Sequence, residues 1–124
     1  MTTMGTFRVP VEIANLAGGR FDRLEALVDT GASHTCWPSD RLKQLGIVPE
    51  EEWPFSLADG REVTCGIAWA RIRIAGRSQP TIIVFGEPGS EPLLGAFSLE
   101  GFRLAADPVR QRLVPVPGLL KRAS

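Results

Sequence analysis

The chain has 124 residues, 44% of them hydrophobic, and its 14 basic residues cancel its 14 acidic ones. That length supports one compact core and is short for two ordinary domains, so residues 1–124 are expected to form a single domain. The balanced charge, with no basic run or aromatic-interleaved Lys/Arg stripe, argues against nucleic acid as a partner; with no signal-peptide pattern and no apolar run of membrane-spanning length, a cytoplasmic location without membrane contact is expected.

Phe7, Val9, Val11 and Ile13 alternate with mostly polar residues, the period-2 signature of a half-buried strand, and Gly18-Gly19 supplies a hairpin turn. The return strand runs from Arg20 to Val28. Pro38 and Ser39 precede Asp40-Arg41-Leu42-Lys43-Gln44-Leu45, closed by Gly46, which predicts a short helix with an N-cap and a C-terminal glycine. The acid run Glu50-Glu51-Glu52 reads as a solvated loop. Phe55 to Ala58, Asp59-Gly60 and Glu62 to Ile74 read as a second hairpin, because Asp-Gly between strand-like runs is a strong turn signal. Gly76 to Gln79 is the next expected turn. Thr81-Ile82-Ile83-Val84-Phe85 is a continuous β-branched and aromatic run, expected of a strand buried on both faces. After the loop Gly86 to Ser90, Leu93-Leu94-Gly95 enters a helical turn, Ala96 to Glu100, and strands are expected over Phe102 to Ala106 and Arg112 to Val116. Ten prolines and thirteen glycines at turn spacing fit an all-β fold.

The side chains able to do chemistry are few. Cys36 and Cys65 lie outside any CxxC or Cys/His zinc spacing, so no metal or other cofactor is expected. His34 is the one histidine, which excludes HExxH chemistry and leaves it as an ordinary polar turn residue. Cys36 reads as a small buried hydrophobe, and Trp37, Trp53 and Trp69 as core or rim aromatics.

Attention therefore falls on Asp29. Ala26-Leu27-Val28 is apolar on both faces, so a carboxylate at its end is partly desolvated and needs compensation. Thr30 offers a hydroxyl, and Gly31, lacking a Cβ, lets another backbone or a ligand approach. Taken alone, Asp29-Thr30-Gly31 is equally a plain turn.

With its surroundings the segment resembles a known family. Ala26-Leu27-Val28-Asp29-Thr30-Gly31-Ala32-Ser33 is similar to the catalytic signature of the retropepsin-like aspartic peptidases, single-lobe homodimeric type. Pro92-Leu93-Leu94-Gly95 resembles their second signature before the C-terminal helix. The hairpin at Ala58-Asp59-Gly60 resembles by position the flap that closes over substrate. The resemblance runs from about Phe7 to Val116. It implies a closed, barrel-like all-β subunit with one or two short helices, Asp29 as catalyst, and Thr30, Gly31, Ala32, Leu94 and Gly95 supporting the motif. It also implies a peptide or protein substrate gripped by Ala58, Asp59 and Gly60. The tip Leu57 to Arg61 is less glycine-rich than in viral members, and Ala96 stands where those usually carry Arg.

The implied mechanism uses two aspartates that share a proton around one water. Of the five aspartates, Asp22, Asp29, Asp40, Asp59 and Asp107, Asp29 alone is followed by Thr-Gly or Ser-Gly. A homodimer supplies the second, since a two-fold contact brings the same residue from both subunits together. The expected activity is an aspartic endopeptidase; the alternative is an inactive member of the fold that binds peptide or serves as a dimerisation module. A Cys- or Ser-based hydrolase is the third reading.

Overall fold

The computed structural model describes residues 6–121; residues 1–5, read above for a leader, lie outside them. Among the described residues there are nine strands and two helices. They run β1 (Arg8–Ala14), β2 (Asp22–Val28), β3 (Thr35–Pro38), α1 (Ser39–Gln44), β4 (Glu51–Ser56), β5 (Glu62–Ile74), β6 (Arg77–Gly86), β7 (Leu93–Leu94), α2 (Ala96–Phe102), β8 (Leu104–Asp107) and β9 (Arg112–Pro115).

Seven strands form one sheet in the order β1-β2-β7-β3-β6-β5-β4, and β8 pairs with β9 separately. β1 also pairs with β5 through Glu12↔Arg73, Ile13↔Ile72 and Ala14↔Arg71, which curls the sheet on itself. The result is barrel-like but not the closed barrel expected. β7 is two residues long and meets β3 through the single pair Cys36↔Leu93, while β4 extends the sheet beyond β5.

The period-2 reading of the first strand agrees with burial: Phe7, Val11 and Ile13 turn inward, each less than a tenth exposed. They meet Ala26 and Val28 of β2, Trp37 of β3, Leu42 of α1, Ile72 of β5, Ile83 of β6, and Leu99 and Phe102 of α2 in the main core. Burying each large aliphatic or aromatic side chain contributes about 1.5–3 kcal/mol, the main source of the fold's stability. A second, smaller cluster, Ile67, Ile82 and Val84, packs on the other face of β5 and β6 against Cys36, Trp53, Phe55 and Cys65. Thr81 to Val84 are buried, as expected for a strand covered on both sides.

Asp22 begins β2 and is also buried. Its carboxylate accepts from Trp37 Nε1 at 3.1 Å, and from Arg41 Nε at 3.0 Å and Nη2 at 2.7 Å, a two-pronged grip that ties α1 and β3 to β2. Burial pushes this carboxyl up, but the Arg41 and Trp37 hydrogen bonds together outweigh it and hold the group below its ordinary 3.8.

Several local expectations are corrected. The N-cap expected for α1 is Pro38, with no side chain capping the helix. The acid run is not wholly loop: Glu51 and Glu52 lie in β4, paired with Ile67 and Gly66. The turn expected at Gly76 to Gln79 falls at Ala75-Gly76, both with positive φ, so that Ile74 pairs with Arg77 in a two-residue hairpin. Ala75 adopts this conformation without being glycine, which hid the turn from residue type. β3, short and ended by a proline, shows no alternation and was not expected as a strand.

Candidate functional site

β2 ends at Val28, and Asp29 is the first residue of the turn that follows. Its position is set by backbone. β7 runs parallel to β2, pairing Leu27↔Leu93 and Val28↔Leu94, and the Asp29 N–H donates to Leu94 O at 3.0 Å. Ala32 N donates to Asp29 O at 3.1 Å, closing the turn. The carboxylate is half-buried, and its Oδ1 accepts from Gly31 N at 3.0 Å. The compensation anticipated for this acid therefore comes from the Gly31 N–H, while Thr30 is exposed. A Cβ on Gly31 would stand 3.3 Å from that same Oδ1, so the bare glycine keeps the carboxylate's flank open.

The turn is clamped from below by α2. Its first N–H groups would otherwise lack partners. Ala96 N donates to Ala32 O and Phe97 N to Ser33 O, both at 2.9 Å, and Gly95 N donates to Thr35 Oγ1 at 3.1 Å. Thr35 is fully buried, and its hydroxyl continues to Ser98 Oγ and from there to Thr81 Oγ1, each step 2.7 Å. This buried hydroxyl chain links β3, α2 and β6. Gly95 has φ −101° and ψ 175°, accessible to any residue, so conformation does not demand glycine there. Space does: a Cβ would lie 2.4 Å from both the carbonyl carbon and oxygen of His34.

Ala58, Asp59 and Gly60 form the exposed tip between β4 and β5. Leu57 N donates to Arg61 O at 2.7 Å and Gly60 N to Leu57 O at 2.9 Å, with Gly60 at φ 89°. The Asp59 carboxylate accepts from Arg61 N at 3.0 Å and Arg61 Nε at 2.7 Å, which stiffens the tip from within.

Below this hairpin lies a groove of about 380 Å³. The segment Gly31 to His34 forms one wall, Phe55, Leu57 and Val63 of the hairpin the other, and Cys36, Cys65, Val84 and Leu93 complete it. The structure thus brings the Asp29 turn and the arms of the hairpin to one cavity. Burial, with the neighbouring Cys65, pushes the Cys36 thiol up to about 11, the opposite of what an attacking thiolate needs.

His34 is the residue that sequence reading undervalued. Its ring stacks on Phe97 (5.5 Å, 21°) and meets the edges of Trp53 (5.8 Å) and Phe55 (5.9 Å). Its Nδ1 is 2.8 Å from Ser33 Oγ, and burial lowers its pKa from the ordinary 6.5. Among the described residues no carboxylate hydrogen-bonds this imidazole, so the third member of a Ser/His/Asp triad is lacking. The i, i+2 spacing of Trp53 and Phe55 on one hairpin arm was the available signal, since such positions share a face. Thr35, Thr81 and Ser98 gave none. Among the described residues no three His, Cys, Asp or Glu side chains are grouped to hold a metal ion, and no helix is long and apolar enough to cross a membrane.

A family model described as aspartyl protease matches residues 9–96. The solution structure of simian foamy virus (mac) protease is similar, with a TM-score of 0.56 and 20% identity over 76% of this chain and 92% of that one. The foamy viral protease-reverse transcriptase, solved in complex with an RNA/DNA hybrid, is similar with a TM-score of 0.61 and 16% identity over 94% of this chain. This chain corresponds to 13% of that much longer protein. Identities at this level speak for the fold. No curated protein sequence matches the chain.

Proposed function

Because the chain belongs to the aspartyl protease family, with the fold of the retropepsin-like peptidases, we propose that it is an aspartic endopeptidase whose active site is completed by a second copy of itself. The observation that carries this reading is Asp29, held by the Gly31 N–H and by a backbone bond to Leu94 in a turn whose following residues, Gly31 to His34, wall the groove. A single such acid cannot perform the reaction. One carboxylate must take a proton from water while another, protonated, polarises the scissile carbonyl.

Two Asp29 residues across a two-fold axis satisfy that need. Sharing one proton, the pair offers an ionised carboxylate to the water and a protonated one to the scissile carbonyl. Water then attacks the carbonyl carbon as its proton passes to the ionised carboxylate, and the protonated partner donates to the carbonyl oxygen. Collapse of the tetrahedral species returns a proton to the leaving amine. Thr30, Gly31, Ala32, Leu94 and Gly95 hold the turn, and Ala58, Asp59 and Gly60 close over an extended peptide.

The test is Asp29→Asn. An amide cannot accept the proton of water, so cleavage of a fluorogenic peptide should vanish, while removal of the repulsion leaves the dimer as stable or more stable. The wild-type rate should be bell-shaped in pH and fall with dilution into monomer. Cleavage at a comparable rate by the variant would remove Asp29 from catalysis. Peptide binding by wild type without cleavage would leave a non-catalytic binding module in its place.

A further inference from the structure

The groove beside Asp29 has an unusual inventory: none of its lining residues is Asp, Glu, Lys or Arg. Its one group able to gain a charge near neutrality is His34. The imidazole is held in place by three aromatic rings, Trp53 and Phe55 from β4 and Phe97 from α2, and by Ser33 Oγ at Nδ1. We infer that this groove receives a substrate side chain next to the scissile bond and that His34 sets its charge preference, neutral side chains when the imidazole is neutral and acidic ones when it is protonated. The inference rests on the peptidase reading above and adds the residue that chooses the substrate.

The physical argument is one of desolvation. A carboxylate entering a groove walled by Leu57, Val63, Val84, Leu93 and two thiols gives up water and finds no opposite charge, which is costly. An apolar or amide side chain loses far less. One proton on His34 changes this, because an opposite charge within about 4–6 Å favours the ionised carboxylate by a factor of ten or more. The titratable and charged groups on the surrounding elements are Asp29 in the same turn, Cys36 on β3, Glu51 and Glu52 on β4, Arg61 just before β5, Glu62, Cys65, Arg71 and Arg73 on β5, Arg77 on β6 and Glu100 on α2. Glu51 is engaged with Trp53 Nε1 at 3.1 Å, Arg61 with Asp59, and burial keeps both thiols protonated. Burial also lowers the His34 pKa from its ordinary 6.5.

The experiment compares two fluorogenic peptides that differ by Glu against Gln at the residue flanking the scissile bond. Protonation of the Asp29 pair affects both alike, so the ratio of their kcat/KM values isolates the groove. In the wild type that ratio should rise about tenfold as pH falls from 7.5 through the His34 transition, ahead of a separate rise when the substrate glutamate itself protonates near about 4.3. In His34→Phe, which keeps an aromatic wall, and in His34→Gln, the earlier rise should vanish and only the one from the substrate glutamate remain; thermal melts establish that either variant is folded. As His34 is the sole histidine, its proton resonances report directly. In Asp29→Asn, the uncleaved Glu peptide should raise the imidazole's titration midpoint relative to the Gln peptide. A Gln peptide that is cleaved with a ratio showing only the substrate's own rise, or an earlier rise that persists in both His34 variants, overturns the role of His34 and leaves the peptidase standing. Failure to cleave either peptide removes both.

Discussion

Gly95→Ala adds one methyl group where the backbone geometry would accept any residue, so its effect measures packing alone. At the observed positions the new carbon would lie 2.4 Å from the carbonyl carbon and oxygen of His34. Real contacts of this kind are essentially never under 3.0 Å, and both partners are backbone, so neither side can rotate away. The start of α2 must therefore retreat from the Asp29 turn by more than half an ångström. That movement stretches Gly95 N to Thr35 Oγ1, Ala96 N to Ala32 O and Phe97 N to Ser33 O, and it pulls on Asp29 N to Leu94 O. At about 1 kcal/mol net for each bond, the loss is about 3–4 kcal/mol. For a chain of this size that corresponds to a melting temperature lower by roughly 10–20 °C. The assay is thermal unfolding followed by circular dichroism, with Gly101→Ala as the control. Gly101 lies within α2, and its new Cβ would meet the flexible end of Gln79 at 3.2 Å; the gain in helix propensity should stabilise by up to ~1 kcal/mol. A Gly95→Ala protein that melts within a few degrees of wild type would refute the claim that the turn and α2 are locked by direct backbone contact.

Two further outcomes follow from ionisable groups. Asp22→Asn should cost about 2 kcal/mol at pH 7, because Arg41 loses a two-pronged carboxylate and Trp37 a charged acceptor. The Asp22 carboxyl sits below its ordinary 3.8 in the folded state, so its contribution is complete above that value and is lost as pH falls through the lower, folded one. Melts of wild type and variant should converge below pH 3.8; an unchanged gap would mean that charge is not involved. Alkylation with iodoacetamide at pH 8 should modify Cys65 well before Cys36, whose transition lies near 11; mass spectrometry of digested samples reads the order, and faster labelling of Cys36 would contradict its burial.

Most of the sheet was legible because its strands turn side chains into the core: Val11 and Ile13 alternate, and Thr81 to Val84 form an unbroken β-branched run. β4 was legible only from Phe55 onward. It begins with two exposed acids at a sheet edge, Glu51 and Glu52, where backbone pairing with Ile67 and Gly66 makes a strand and the side chains add no pattern. β3 escaped for a related reason: four residues are too few for a period to show. At the site, the Asp29 turn was legible because a carboxylate ending an apolar strand is locally anomalous. The roles of His34, Thr35, Thr81 and Ser98 were not, because each is defined by contacts between residues remote in sequence. A hydroxyl linking β3, α2 and β6 looks no different in sequence from one facing solvent.

The two-residue strand β7 has a consequence for the order in which the molecule assembles. Leu93-Leu94 inserts between β2 and β3, two strands completed long before it in the sequence, and its carbonyl holds the Asp29 amide. Until the chain beyond residue 94 is available, β2 lacks its inner neighbour and the Asp29 turn has neither its backbone partner nor the floor provided by α2. Closing so long a loop for so few hydrogen bonds carries a large entropic cost that local contacts cannot offset early. Assembly of the Asp29 turn is therefore expected late in folding, and a nascent or truncated chain that stops short of α2 carries the aspartate without the backbone bonds that hold it.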